Sequence, residues 1–170
     1  MRSKADIFRK FKRVSKTIFS GKNLSQVETK SLARELSEVL CGGDTIFLKG
    51  PIGSGKTFFA RALIEQMLLN QEKQVEEIPS PTFSLVQVYD NLKPNICHFD
   101  LFRLSNSSEV LELGLADFLD DNICLIEWPE ILDKKVLKRY MSIIFSDDVS
   151  EFDRRNLLIE FHGSNWQNIY

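Results

Sequence analysis

The chain has 170 residues and a mass of 19.6 kDa, with 43% hydrophobic and 27% charged residues and only 8 Gly and 5 Pro. That length suits one domain with a single core, burying roughly 70% of the unfolded chain's surface, and the composition excludes disordered, collagen-like and low-complexity classes. No apolar run approaches the ~18 residues of a membrane span, and a net charge of −2 with a sequence pI near 5.8 excludes a uniformly basic nucleic-acid binder.

The charge is unevenly spread. Residues 1–22 carry Arg2, Lys4, Arg9, Lys10, Lys12, Arg13, Lys16 and Lys22 against Asp6 alone, which leaves the remainder with a charge of about −9. The segment lacks the apolar stretch and cleavage site of a secretory signal, while its basic, acid-poor character faintly resembles an organellar transit peptide. The expected organisation is a retained basic extension over 1–23, a domain over 24–162 and a tail over 163–170. Targeting, nucleic-acid contact and partner docking are the alternative uses of the extension.

Ser25-Gln26-Val27-Glu28 has the S-x-x-E form of a capping box, and Leu32, Leu36, Val39 and Leu40 follow at helical spacing until Gly42 and Gly43. Thr45-Ile46-Phe47-Leu48 is too short for a helix and reads as a buried strand. A glycine-rich loop follows it, and then the helical pattern Phe59, Leu63, Met67. Residues 70–80 are polar and end at Pro79-Ser80-Pro81, where two prolines predict an extended connection. Phe83, Leu85, Val88 and Tyr89 suggest a strand, Asp90 to Asn95 a turn, and Ile96-Cys97-His98-Phe99 a second strand ending at Asp100. The spacing predicts a helix from Ser108 to Leu119, capped by Ser107 or Ser108 and broken at Gly114. Ile123 to Ile126 is another buried strand, followed by Glu127-Trp128-Pro129, a short amphipathic stretch around Ile131 to Leu137, and β-like runs at Met141 to Phe145 and Leu157 to Phe161. Strands alternating with helices, then a β-rich end, predict an α/β domain whose mixed sheet has a parallel centre and antiparallel edges. Cys41, Cys97 and Cys124 are odd in number and embedded in apolar sequence, which suits buried thiols of a reducing compartment, the cytoplasm by default.

Gly50-Pro51-Ile52-Gly53-Ser54-Gly55-Lys56-Thr57 fits G-x-x-x-x-G-K-[ST], the P-loop pattern. Its glycines let backbone N–H groups turn toward phosphate oxygens, Lys56 can reach the β and γ phosphates, and the Thr57 hydroxyl can ligate Mg2+. Such a loop needs an acid on a neighbouring strand end, and both Asp100 and Glu127 stand at one. Trp128 reads either as a core aromatic or as a neighbour of the site. His98 reads as structural, and Arg103 as surface charge or as a source of positive charge for phosphoryl transfer. The basic pairs Lys138-Arg139 and Arg154-Arg155 read as solvated turn and strand-end residues.

Four ordered motifs, Gly50 to Thr57, Ser80-Pro81-Thr82-Phe83-Ser84-Leu85, His98 to Arg103 and Glu127-Trp128-Pro129, together resemble the bacterial TsaE (YjeE) family over about Leu24 to His162. The family is the small ATPase of tRNA threonylcarbamoyladenosine biosynthesis. The resemblance implies a P-loop α/β fold, ATP and Mg2+ as cofactors, and Ser80-Pro81-Thr82 as a switch-like loop. It further implies Asp100 and Glu127 as acidic site residues and Trp128 as the tryptophan beside the site. On that basis Lys56, Thr82, Asp100 and Glu127 are the expected catalytic set, Gly50 to Thr57 with Trp128 the nucleotide-binding set, and Thr57 with Glu127 the metal side. The implied partners are the paired threonylcarbamoyl-transferase subunits, with tRNA as the indirect substrate. Phe102 stands where the family commonly has Tyr. A small-molecule kinase and a nucleotide-regulated binding module are the competing readings, while the lack of N-K-x-D and of D-x-x-G after a strand disfavours a GTPase.

Overall fold

The computed structural model describes residues 17–133, 137, 139–147 and 154–163. Its strands are β1 (Thr17–Leu24), β2 (Thr45–Lys49), β3 (Val86–Tyr89), β4 (Ile96–Asp100), β5 (Ile123–Glu127), β6 (Arg139–Asp147) and β7 (Arg155–Gly163). The helices are α1 (Gln26–Ser37), α2 (Lys56–Asn70), α3 (Ser107–Glu112) and α4 (Leu115–Phe118), with a 3-10 turn at Pro129–Ile131. All seven strands form one sheet in the order β1-β7-β6-β2-β5-β4-β3. The pairs β6/β2, β2/β5 and β5/β4 are parallel, and β1/β7, β7/β6 and β4/β3 are antiparallel. The expected parallel centre with antiparallel edges is what the chain builds.

Because side chains alternate along a strand, each central strand feeds two cores. Ile46, Leu48, Ile96, Ile123 and Leu125 pack with Leu36 of α1 and with Phe59, Leu63 and Ile64 of α2. Phe47, Cys97, Phe99, Cys124 and Ile126 pack on the opposite face with Val110 and Leu115. The same alternation puts His98 and Asp100 of β4, and Glu127 of β5, on the face that carries α2.

The capping box at α1 forms as expected: the Ser25 hydroxyl accepts from Glu28 N at 3.3 Å, and Ser25 N donates to Glu28 Oε2 at 2.8 Å. Elsewhere the structure corrects the sequence reading. The last part of the segment expected as an extension, residues 17–23, forms with Leu24 an edge strand paired with β7, so the sheet begins ahead of residue 24; residues 1–16 and 164–170 lie outside the described residues. The strand expected from Phe83 starts only at Val86, because Leu85 takes a left-handed backbone (φ 65°) and its N–H closes a turn onto Pro81 O at 2.7 Å. Helix α3 is capped by the Asn106 side chain, which accepts from Ser108 N and Glu109 N, and Gly114 at φ 67° separates it from α4. Cys41 is exposed, in contrast to buried Cys97 and Cys124. Arg154 and Arg155 are not simply solvated: Arg154 Nη1 donates to Asn23 O at 2.9 Å and Arg155 Nη2 to Gly53 O at 3.4 Å. Part of the stretch expected to be amphipathic, residues 134–136, and Lys138 of the other basic pair lie outside the described residues.

Candidate functional site

The loop between β2 and α2 is shaped by its glycines. Gly50 has φ 141°, and a Cβ there would meet the Phe145 carbonyl oxygen at 2.5 Å, so no larger residue fits this crossing beneath β6. Gly53 and Gly55 also take positive φ, 77° and 101°, but with open space on the side where a Cβ would stand. Helix α2 then starts at Lys56 with no side chain capping its first N–H groups.

Lys56 is 4% exposed. Its ammonium donates to the carbonyls of Gly50 and Pro51, both at 2.8 Å, and lies 3.8 Å from the centre of the Trp128 ring. Burial pulls its pKa below the ordinary lysine value, opposed by the carboxylates of Glu127, Asp100 and Glu130. Thr57 Oγ1 donates to Glu127 Oε2 at 2.8 Å, and Glu127 Oε1 lies 2.9 Å from His98 Nε2. Parallel pairing sets Asp100 beside Glu127 at the strand ends. Asp100 is held from two sides: Thr82 Oγ1 donates to Oδ2 at 2.6 Å, and the Phe102 N–H donates to Oδ1 at 3.0 Å. Ser80 Oγ stands 3.0 Å from Thr82 Oγ1, so the loop after α2 is tied to the end of β4 by a short hydroxyl chain. Trp128 takes a left-handed backbone (φ 57°) that swings its ring back over Lys56, where it meets Phe102 at a centroid distance of 4.8 Å.

These groups line a cleft of about 360 Å3 bounded by Ile52, Gly53, Gly55, Lys56, Thr57, Phe58, Thr82, Asp100, Phe102, Glu127 and Trp128. A second cavity of about 190 Å3 lies against the same loop, between Leu24, Gln26, Thr29, Phe145 and Arg155, and shares Gly53, Gly55 and Phe58 with the first. A P-loop sequence closing a strand-to-helix turn, with two carboxylates at adjacent parallel strand ends, is the arrangement of a P-loop NTPase-like fold.

The sequence model of the family described as "Threonylcarbamoyl adenosine biosynthesis protein TsaE" matches residues 24–157. The chain belongs to the TsaE family. A relative named tRNA threonylcarbamoyladenosine biosynthesis protein TsaE, from Rickettsia prowazekii, is 33% identical over 142 residues, 84% of this chain and 93% of that protein. The protein of the same name from Rickettsia felis is 41% identical over 108 residues, 64% of this chain and 61% of its own length. The one from Mycobacterium bovis is 33% identical over 138 residues, covering 75% and 78%. The crystal structure of YdiB from Bacillus has the same fold, with a TM-score of 0.67 at 20% identity over 92% of this chain and 93% of its own.

Within this TsaE-family fold, most residues expected at the site converge. Lys56, Thr57, Thr82, Asp100, Glu127 and Trp128 all line the cleft, with Ile52, Gly53 and Gly55 at its loop side. Gly50, Pro51 and Ser54 do not: Gly50 and Pro51 turn their carbonyls to Lys56, and Ser54 is buried, within 2.9 Å of where a Cβ on Gly50 would stand, and lines the smaller cavity instead. Arg103 does not line the cleft either, since its guanidinium stacks 4.4 Å from the centre of the exposed Phe83 ring. The sequence reading passed over Phe58 and Phe102 as lining residues and took His98 as merely structural. The signal for His98 was present in its period-two spacing from Asp100, which puts both on one face.

Proposed function

We propose that this TsaE-family chain is the ATP-hydrolysing component of tRNA threonylcarbamoyladenosine modification, a cytoplasmic protein that binds ATP with Mg2+ in the cleft and cycles a complex of paired threonylcarbamoyl-transferase subunits. The observation that carries the reading is the bond from Thr57 Oγ1 to Glu127 Oε2 at 2.8 Å, which joins the last P-loop residue to a carboxylate 70 positions later. The residues fit the cofactors. Gly53 and Gly55 leave the phosphate side of the loop open, and the hydroxyl and carboxylate oxygens of Thr57 and Glu127 are the hard donors that Mg2+ takes. No group of three or more His, Cys, Asp or Glu among the described residues is placed to hold a metal ion by itself; Mg2+ in phosphoryl-transfer sites is instead held by one or two carboxylates together with substrate phosphates. Its chemistry is to neutralise charge on the β and γ phosphates.

The chain's own groups then have separate tasks. Lys56 exchanges its two loop carbonyls for phosphate oxygens, a trade aided by the acids that keep it charged. Thr57 and Glu127 form the metal side. Asp100, with its carboxylate oriented by Thr82 and the Phe102 N–H, is positioned to direct the attacking water. The smaller cavity beyond Gly53 and Gly55 suits the ribose and base. Among the described residues no arginine lines the main cleft, Arg103 is occupied with Phe83 and Arg155 lies at the smaller cavity, which supports a slow resting enzyme that partner proteins complete.

The test is ATP hydrolysis by the chain alone, with the two transferase subunits, and with tRNA added, at several salt concentrations. Slow turnover alone and a rise of at least tenfold with the subunits is expected. Unchanged turnover in every mixture, or phosphate transfer to a small metabolite, would place a kinase ahead of this reading.

A further inference from the structure

His98 lies in the middle of β4, fully buried, and none of the steps above uses it. Its Nε2 is 2.9 Å from Oε1 of Glu127, a carboxylate only 2% exposed. The other oxygen of that carboxylate takes the Thr57 hydroxyl, so the two neighbours divide the carboxylate between them, one oxygen each. The Nδ1 of His98 has no hydrogen-bond partner among the described residues. That asymmetry assigns the proton. With Nε2–H directed at Glu127, the nitrogen left without a partner is Nδ1. A proton on Nδ1 alone would bury an N–H without an acceptor and set the Nε2 lone pair against a carboxylate oxygen.

We propose that His98 is a positioning residue for the metal side of the site: its Nε2–H holds Glu127 Oε1, which keeps Oε2 aimed at Thr57 and the cation. The inference rests on the nucleotide reading given above. Groups that orient a metal-binding side chain typically change metal affinity or activity by 10–100-fold when removed, and the buried setting magnifies the effect because no water can substitute for the lost donor.

Three substitutions separate positioning from space filling. In His98→Gln the side-chain amide nitrogen reaches about as far as Nε2, whereas in His98→Asn it ends near the unpartnered Nδ1 position; His98→Leu removes the polarity altogether. ADP affinity is measured by calorimetry in EDTA and again in Mg2+, alongside kcat and KM for ATP, with folding checked by circular dichroism. The expected result is that wild type and His98→Gln gain affinity from Mg2+ within threefold of each other. His98→Asn and His98→Leu should lose about tenfold or more of that gain and of kcat, with ADP affinity in EDTA kept within threefold. If His98→Leu does not fold, the comparison of Gln with Asn carries the test, since both are polar amides and differ in reach. Equal behaviour of Gln and Asn, whether both match wild type or both fall, overturns the assignment. Wild-type protein that binds ADP without any response to Mg2+, or does not bind it, overturns the nucleotide reading itself and the role of His98 with it.

Discussion

Replacing Thr57 by Val keeps the side-chain shape and removes one hydroxyl, so it isolates the bond that joins the P-loop to β5. In the ligand-free protein the loss leaves Glu127 Oε2 without its donor on the wall of the cleft, where solvent replaces only part of that bond. A hydrogen bond to a charged group contributes about 1.5–3 kcal/mol. Because His98 still holds the other carboxylate oxygen, the lower part of that range applies, about 1.5–2 kcal/mol. For a domain of this size each 1 kcal/mol moves Tm by about 2–4 °C, so the variant should melt about 3–8 °C lower. The same hydroxyl is a proposed metal ligand, so turnover should fall about 10²-fold, the scale of losing one preorganised catalytic contact. Thr57→Ser restores the hydroxyl and should recover both quantities to within a few-fold in rate and about 2 °C in Tm. Thermal melting without nucleotide and phosphate release under saturating MgATP provide the two readouts. A Thr57→Val protein that melts lower but hydrolyses ATP normally would reduce the hydroxyl to a structural tie. One that matches wild type in both would refute the reasoning entirely.

Asp100→Asn retains an acceptor oxygen for Thr82 or the Phe102 N–H but loses the charge; turnover should drop about 10²-fold or more while ADP affinity, measured by calorimetry, changes little. Equal losses in both would make Asp100 a binding group only. The Trp128 ring sits 3.8 Å from the Lys56 ammonium, so in a Trp166→Phe background its emission should shift when ADP draws that ammonium away, and an unchanged spectrum would detach Trp128 from the nucleotide. Lys56 has a pKa lowered by burial from the ordinary 10.5, which means that between its native value and 10.5 the unfolded chain binds a proton the native chain does not. Stability therefore gains from this group as pH rises through that window. The Tm difference between wild type and Lys56→Met should move in favour of wild type from pH 7 toward pH 10, and a constant difference would contradict the shift.

The sheet's parallel centre was legible because buried central strands write themselves as short unbroken apolar runs, Thr45 to Leu48 and Ile123 to Ile126, each ended by a loop or a turn. The P-loop was legible for a related reason. Its glycines answer to a backbone conformation set within eight consecutive residues, as the positive φ of Gly50, Gly53 and Gly55 shows, although the crowding at Gly50 comes from Phe145 of β6. Thr17–Leu24 was not legible as a strand, since an edge strand needs no apolar alternation of its own and gains its hydrogen bonds from β7, more than 130 positions away. Nor did local pattern reveal that Phe83 stands outside the sheet, because the loop there is drawn to Asp100 by a hydroxyl 18 positions distant. The hydrogen-bond partner that each of the two acids takes belongs to the tertiary structure. Asp100 and Glu127 end equivalent strands and look interchangeable in sequence, and only the register of β4 against β5 and the entry angle of α2 give Thr57 to one and Thr82 to the other. Such partners are set by distances between elements, and a linear pattern records the spacing within an element but not the approach of another.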